Sequence, residues 1–284
     1  MKSKVVLLVA SIIFSTTAFA QKEELKTLKK IYAKEKISDS DMELYKTTLT
    51  AAEPLVAGSN EDDKVYFAYY KGVAPILELT SALLNPEKNA DPMLSSKILS
   101  VDKVNQFVAV ANETRAYEKK TGKEVYTKEI NQKVIFLKSI MVNYAVALSN
   151  IPNFKDASIV LAAIYYLDNN DLEKLYYAAN YAVNSKDYNL SLTYYQLLKD
   201  KNYTGEGEAF YALNVKTQKE ESFNTKAERD LFIKAKTHEK PRDEKLASKR
   251  PEIFKNIALI YVELGNSKLK IILEVWKEEN QCER

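Results

Sequence analysis

Two side chains capable of demanding chemistry occur once each in this chain of 284 residues, His238 and Cys282. Zinc takes three or four His, Cys or carboxylate ligands at characteristic spacing, and one His with one Cys does not supply the usual sets. His238 is followed by Glu239 and Lys240, not by the second His of a metalloprotease helix. As a general base it needs a carboxylate to orient it and a nucleophile to serve. Glu239, Asp243 and Glu244 are near in sequence. The stretch is charged and holds Pro241, so it reads as a solvated loop between helices, available for docking. No G-x-S-x-G elbow, phosphate loop or dinucleotide fingerprint is present. Gly205-Glu206-Gly207 reads as a turn. Glu61-Asp62-Asp63 lacks calcium-loop spacing and fits the acidic start of a helix. The expectation is no catalytic residue, no metal and no cofactor. Scattered acids leave open the alternative of an all-α exported enzyme acting on glycan or peptide.

Residues suited to recognition are more plentiful. Of 19 tyrosines, ten lie between Tyr165 and Tyr211. Some fill gaps between helices, as Tyr188 and Tyr195 are placed to do. The surplus suits a binding surface, because tyrosine offers contact area at small entropic cost.

The chain must also hold these groups in place, and its composition limits how. Gly and Pro number 6 and 7, few for a β-sandwich or an α/β fold. Residues 1–20 carry Lys2 and Lys4, an apolar run from Val5 to Phe14, and the small-x-small signal Ala18-Phe19-Ala20. This is the pattern of a secretory signal peptide, too short for a membrane span, so the mature chain is expected to begin at Gln21 with no transmembrane segment. No cysteine follows the run to accept a lipid. Without Lys2 and Lys4 there remain 40 basic and 39 acidic residues, which gives no electrostatic case for nucleic acid. A single cysteine forms no internal disulfide, so an exported chain of this kind rests on packing alone.

Helix signals are dense. Ser40 to Glu43 reads as a capping box ahead of Leu44, Leu49, Ala52 and Leu55. Asp62 or Asp63 can cap a helix through Leu84, with a kink at Pro75. Asp91-Pro92 opens a helix running to about Lys120 and stopped by Gly122. Lys128 to Ser149 is a further helix, and Thr225 to Glu228 caps a later one. The last apolar stretch, 267–280, includes Trp276.

The strongest pattern is a 34-residue echo between 138–171 and 172–205. Met141 recurs as Leu175, Ala145 as Ala179, Phe154 as Tyr188, Ala157 as Ser191, Leu161 as Tyr195 and Ile164 as Leu198. Small residues fall where two helices cross closely and large ones where the crossing must be filled. A period of 34 with this slotting resembles the tetratricopeptide repeat, in which each repeat is a helix A followed by a helix B. Ala182 and Tyr203 depart from that family's tyrosine and proline, as do Leu148 and Asn169 one period earlier. Pro251 to Gly265 is similar to another helix A, with Ala258 in the small slot and Tyr261 in the tyrosine slot. The segment 236–250, taken with the leader, resembles exported repeat proteins of the Bacteroidota, which implies a Gram-negative envelope.

The resemblance implies an all-α, right-handed superhelical solenoid of antiparallel helix pairs. It implies a degenerate helical region over 21–135, clearer repeats over 136–284, and an insertion around 219–250. It further implies a binding scaffold for a protein or peptide in the cell envelope, or a piece of a longer scaffold. In that family the concave groove is lined by helix A. Carried over, it takes Tyr176, Asn180 and Asn184 from one repeat, Asn150 from the repeat before, and Phe210, Asn214 and Gln218 from a third helix in the same period. Tyr176 and Phe210 are the expected apolar anchors, and the amides form two columns.

Overall fold

A computed structural model describes residues 21–89, 91, 94–223 and 225–265. The expected signal peptide, Pro92, the stretch 267–280 with Trp276, and Cys282 lie outside the described residues. The chain is mostly helical and divides into two compact units with the boundary between Ser185 and Lys186. The line expected at 135/136 falls inside a helix of the first unit.

In the first unit, helix α1 is described over 21–32. It is followed by α2 (Asp39–Val56), α3 (Glu61–Leu83), α4 (Pro86–Asn89), α5 (Leu94–Ile98) and α6 (Val101–Thr121). Then come α7 (Thr127–Asn150), α8 (Phe154–Leu167) and α9 (Leu172–Asn184). The caps explain the boundaries. Ser38, two residues before the expected position, caps α2 in a reciprocal box with Asp41. Asn60, not Asp62, caps α3 by accepting from the Asp63 N–H, and α3 runs on through Pro75. The helix expected from Asp91 is broken, because Ser100 caps a fresh helix, α6. Gly122 ends α6 at φ 70°, a left-handed conformation that glycine adopts without a Cβ clash.

Helix α7 has no side-chain cap of its own at Tyr126. Glu118, buried near the end of α6, supplies it: one carboxylate oxygen accepts from the Tyr126 N–H and the other from the Thr127 N–H, each at 2.9 Å. Two donors at the start of α7 are thus satisfied from the preceding helix. Helix α8 packs on α7, α6 and α9. Both members of the echo pairs Met141/Leu175, Ala145/Ala179, Ala157/Ser191, Leu161/Tyr195 and Ile164/Leu198 are buried. The Ser158 hydroxyl donates to the Ala178 carbonyl at 2.7 Å, which binds α8 to α9 at a close crossing. Lys138 reaches Asp168 at 2.9 Å and Asp171 at 2.7 Å, tying α7 to the α8–α9 turn.

The second unit contains α10 (Tyr188–Asp200), β1 (Gly207–Asn214), β2 (Glu220–Phe223), α11 (Lys226–Lys234), β3 (His238–Leu246) and α12 (Arg250–Glu263). The expectation of an all-α chain is corrected by this three-stranded antiparallel sheet, ordered β2-β1-β3. Tyr211 pairs with Arg242 and Leu213 with Glu239, so Lys240 and Pro241 together oppose Ala212 in a bulge. Pro241, which has no N–H to give, is tolerated on this edge strand. Helix α11, capped by Thr225 as expected, packs on the strands. The excursion closes on itself: the Lys249 N–H donates to the Thr204 carbonyl. Helices α10 and α12 pack together directly, with Asn256 donating to the Tyr195 hydroxyl at 2.7 Å and Gln196 to the Tyr261 hydroxyl at 2.8 Å.

Candidate functional site

The expected groove is not assembled as the 34-residue register implied. Tyr176, a supposed anchor, is buried with 5% exposure. Phe210 and Asn214 lie on β1, and Gln218 lies in the β1–β2 turn at φ 56°. No third helix A exists at 206–219, so these three cannot continue helical columns. The Asn214 side chain is spent locally. Its carbonyl oxygen accepts from the Lys216 and Thr217 N–H groups, and its amide donates to Glu221 at 2.8 Å. Phe210 is half-buried under Arg229, whose guanidinium lies 5.7 Å from the ring centroid. Asn150 and Asn184 are exposed on α7 and α9, and Asn180 is half-exposed on α9. The later helix A expected over 251–265 falls on α12, the next helix to pack on α10. With Ala258 in the small slot, the positions equivalent to Asn180 and Val183 are Leu259 and Val262.

His238 is also not in a solvated loop. It is the first residue of β3, 5% exposed, with the rings of Phe223 and Phe232 at 5.2 and 5.3 Å. Its Nε2 faces Glu221 Oε2 at 2.9 Å and its Nδ1 faces the Thr237 hydroxyl at 3.0 Å. The hydrogen bond from His238, first, and that from Asn214 hold the Glu221 carboxyl below the usual carboxylate range. The imidazole is a buried strap between β2 and β3.

A second candidate site lies in the first unit. A cavity of about 480 Å³ opens between the end of α1 and helices α3, α6 and α7. Positions 69, 73, 76, 77 and 80 of α3, with Leu84 at its C-cap, form one stripe along it, because residues three and four apart share a helix face. Phe107 of α6 and Ile130, Phe136 and Leu137 of α7 supply further apolar wall. At one end stand Tyr32, Tyr69, Glu129 and Lys133. The Tyr32 and Tyr69 hydroxyls are 2.8 Å apart, and Lys133 Nζ pairs with Glu129 while lying 4.9 Å from the Tyr32 ring centroid.

Behind this end is a tyrosine cluster that the sequence reading did not single out. The rings of Tyr32, Tyr69, Tyr70 and Tyr126 lie with centroids 5.0 to 6.5 Å apart. Tyr70 and Tyr126 share a hydroxyl–hydroxyl bond, and the Tyr45 hydroxyl donates to the Tyr70 carbonyl at 2.9 Å. Burial pushes the phenols of Tyr32, Tyr45, Tyr69 and Tyr70 above the usual range, and that of Tyr126 up to about 12. The signal was present as Tyr66, Tyr69 and Tyr70, an i, i+3, i+4 set on one helix.

Among the described residues no group of three or more His, Cys, Asp or Glu side chains is placed to hold a metal ion. No helix among them is long and apolar enough to cross a membrane. The chain matches no family model, no curated protein and no solved structure.

Proposed function

We propose that the chain is an exported, tetratricopeptide-like scaffold that binds a protein or peptide in the cell envelope, and that it works by recognition and not by catalysis. The observation that carries this reading is the exposure of a large apolar side chain at one equivalent helix-A position in each unit. Val146 is 49% exposed on α7 and its counterpart Leu259 is 52% exposed on α12, where Val262 adds a second aliphatic group at 54%. The neighbouring small slots, Ala145 and Ala258, are buried. Each helix therefore fills its internal crossing and still presents an aliphatic group outward, in each unit separately. In the first unit Val146 has the exposed Asn150 one turn further along α7, a pairing that suits a peptide, which offers a side chain to the former and backbone to the latter. Export rests on residues 1–20, and the repeat reading on the buried echo pairs.

The test is cross-linking in the native envelope, followed by mass spectrometry, for the parent and for Val146→Asp with Leu259→Asp. Both sites are exposed, so the double variant should keep the parent's helicity and melting behaviour. It should lose the partners that the parent captures. An identical partner set from a folded double variant would remove the helix-A face as the working surface.

A further inference from the structure

We propose that the cavity between α1, α3, α6 and α7 is a binding site for one uncharged amphiphile, a molecule with an alkyl or aromatic body and a hydroxyl or carbonyl at one end. A volume of about 480 Å³ falls within the range of small-molecule sites. The stripe from Tyr69 on α3 to its C-cap Leu84 extends about 22 Å at about 1.5 Å per residue, so the space is a slot suited to an extended chain. Val73, Ile76, Leu77, Phe107, Phe136 and Leu137 give it apolar walls.

The polar groups select the head. Thr80 donates to the Ile76 carbonyl and Ser81 to the Ile37 carbonyl, so both hydroxyl protons are used on backbone. The Tyr32–Tyr69 pair is different. Its hydroxyls bond to each other, with Glu129 beside Tyr32 as a further acceptor, are buried at 3% and 2% exposure, and line the slot at one end. A phenol oxygen keeps acceptor lone pairs when its proton is used, which matches a ligand hydroxyl, and it can donate to a ligand carbonyl when its hydroxyl turns from its present partner.

Charge argues against an ionic head. Lys133 is paired with Glu129 and Lys34 with Asp41, while Glu35 is a further acid at the exposed rim. An anion finds each lysine already matched and meets Glu129 beside Tyr32. A cation meets Lys133 at the same place. A neutral head costs less to desolvate there.

The probe is N-phenyl-1-naphthylamine, an uncharged fluorophore that brightens in apolar surroundings, titrated into the full chain. Saturable one-to-one binding is expected, with displacement by 1-dodecanol at concentrations at least about ten-fold below those needed for dodecanoate, the cost of desolvating a charge. Leu77→Trp fills the slot and should abolish probe binding. Leu84→Trp, at an exposed rim position, blocks it without touching the core and serves if the first variant does not fold. Tyr69→Phe should keep the probe but weaken dodecanol about five-fold, the worth of one neutral hydrogen bond. Non-saturable fluorescence, or unchanged probe binding in a folded Trp variant, would overturn the site. Dodecanoate displacing as well as dodecanol would overturn the neutral head. Displacement by apolar peptides and by neither alkyl compound would make the slot a peptide pocket and defeat the proposal.

Discussion

Glu118 shows how much of the first unit can hang on one side chain. Its carboxylate is buried and both oxygens accept backbone N–H groups at the start of α7. Glu118→Gln keeps the shape but turns one acceptor into a donor facing a donor. Leaving one buried N–H unsatisfied should cost about 1–3 kcal/mol, read as a lower urea midpoint. An unchanged midpoint would mean that water serves the α7 start equally well. The tyrosine cluster makes a second prediction at this scale. The phenols are neutral when folded, and burial raises Tyr126 from 10.0 to about 12. Between those values the unfolded chain sheds a proton that the folded chain keeps. This contribution is complete below pH 10.0 and is lost as pH rises through about 12. Part of the tyrosinate absorbance should therefore appear only together with loss of helicity. Tyr126→Phe should make stability fall less steeply over that window. Full phenol titration while helicity stays constant would show that the rings are accessible.

At the scale of elements, the repeat slots make a sharp demand. Ala179 is fully buried on α9, and α8 crosses closely enough for Ser158 to reach the Ala178 carbonyl. Ala179→Leu should destabilise by about 1–3 kcal/mol, the usual cost of forcing extra methylenes into a packed crossing. Urea melts decide this, and an unshifted midpoint would displace the register. The same slots explain what was legible in the sequence. Small and large residues that recur at a fixed period encode helix crossings, so α7 to α10 are readable, and five of the six echo pairs are buried while Phe154 and Tyr188 are half-buried. Segment 207–246 departs from the period for a related reason. Extending the period made Phe210, Asn214 and Gln218 a helix, whereas Ala209 to Leu213 is a short apolar run bounded by turn chemistry. The Asn214 side chain closes the β1–β2 turn through local backbone bonds, which a helical count does not register. The cavity escaped notice because its walls come from four separate helices, and no spacing along one of them announces an enclosed space.

The whole molecule is two units, and the second places its sheet between two helices that pack on each other. Tyr203 to Gly205 and Ser248 to Lys249 lie side by side, joined by the Lys249 N–H bond to the Thr204 carbonyl. A chain that leaves and returns at one point can be shortened there without stretching what remains. Strands β1 to β3 pack chiefly on one another and on α11, and the α10–α12 crossing is held by its own bonds through Tyr195, Asn256, Gln196 and Tyr261. Replacing 206–247 by two glycines should therefore leave the α10–α12 pairing in place. The shortened chain should be soluble, lose its β signal in circular dichroism, and keep helix amides of α10 and α12 protected from hydrogen exchange. The buried His238 and Arg229 would be absent from it, with the partner Glu221, so survival of the helices would assign those polar groups to the sheet alone. Exposure of the α10 and α12 amides to fast exchange would show instead that the sheet supports the repeat, and the excursion would then count as part of the second unit's core.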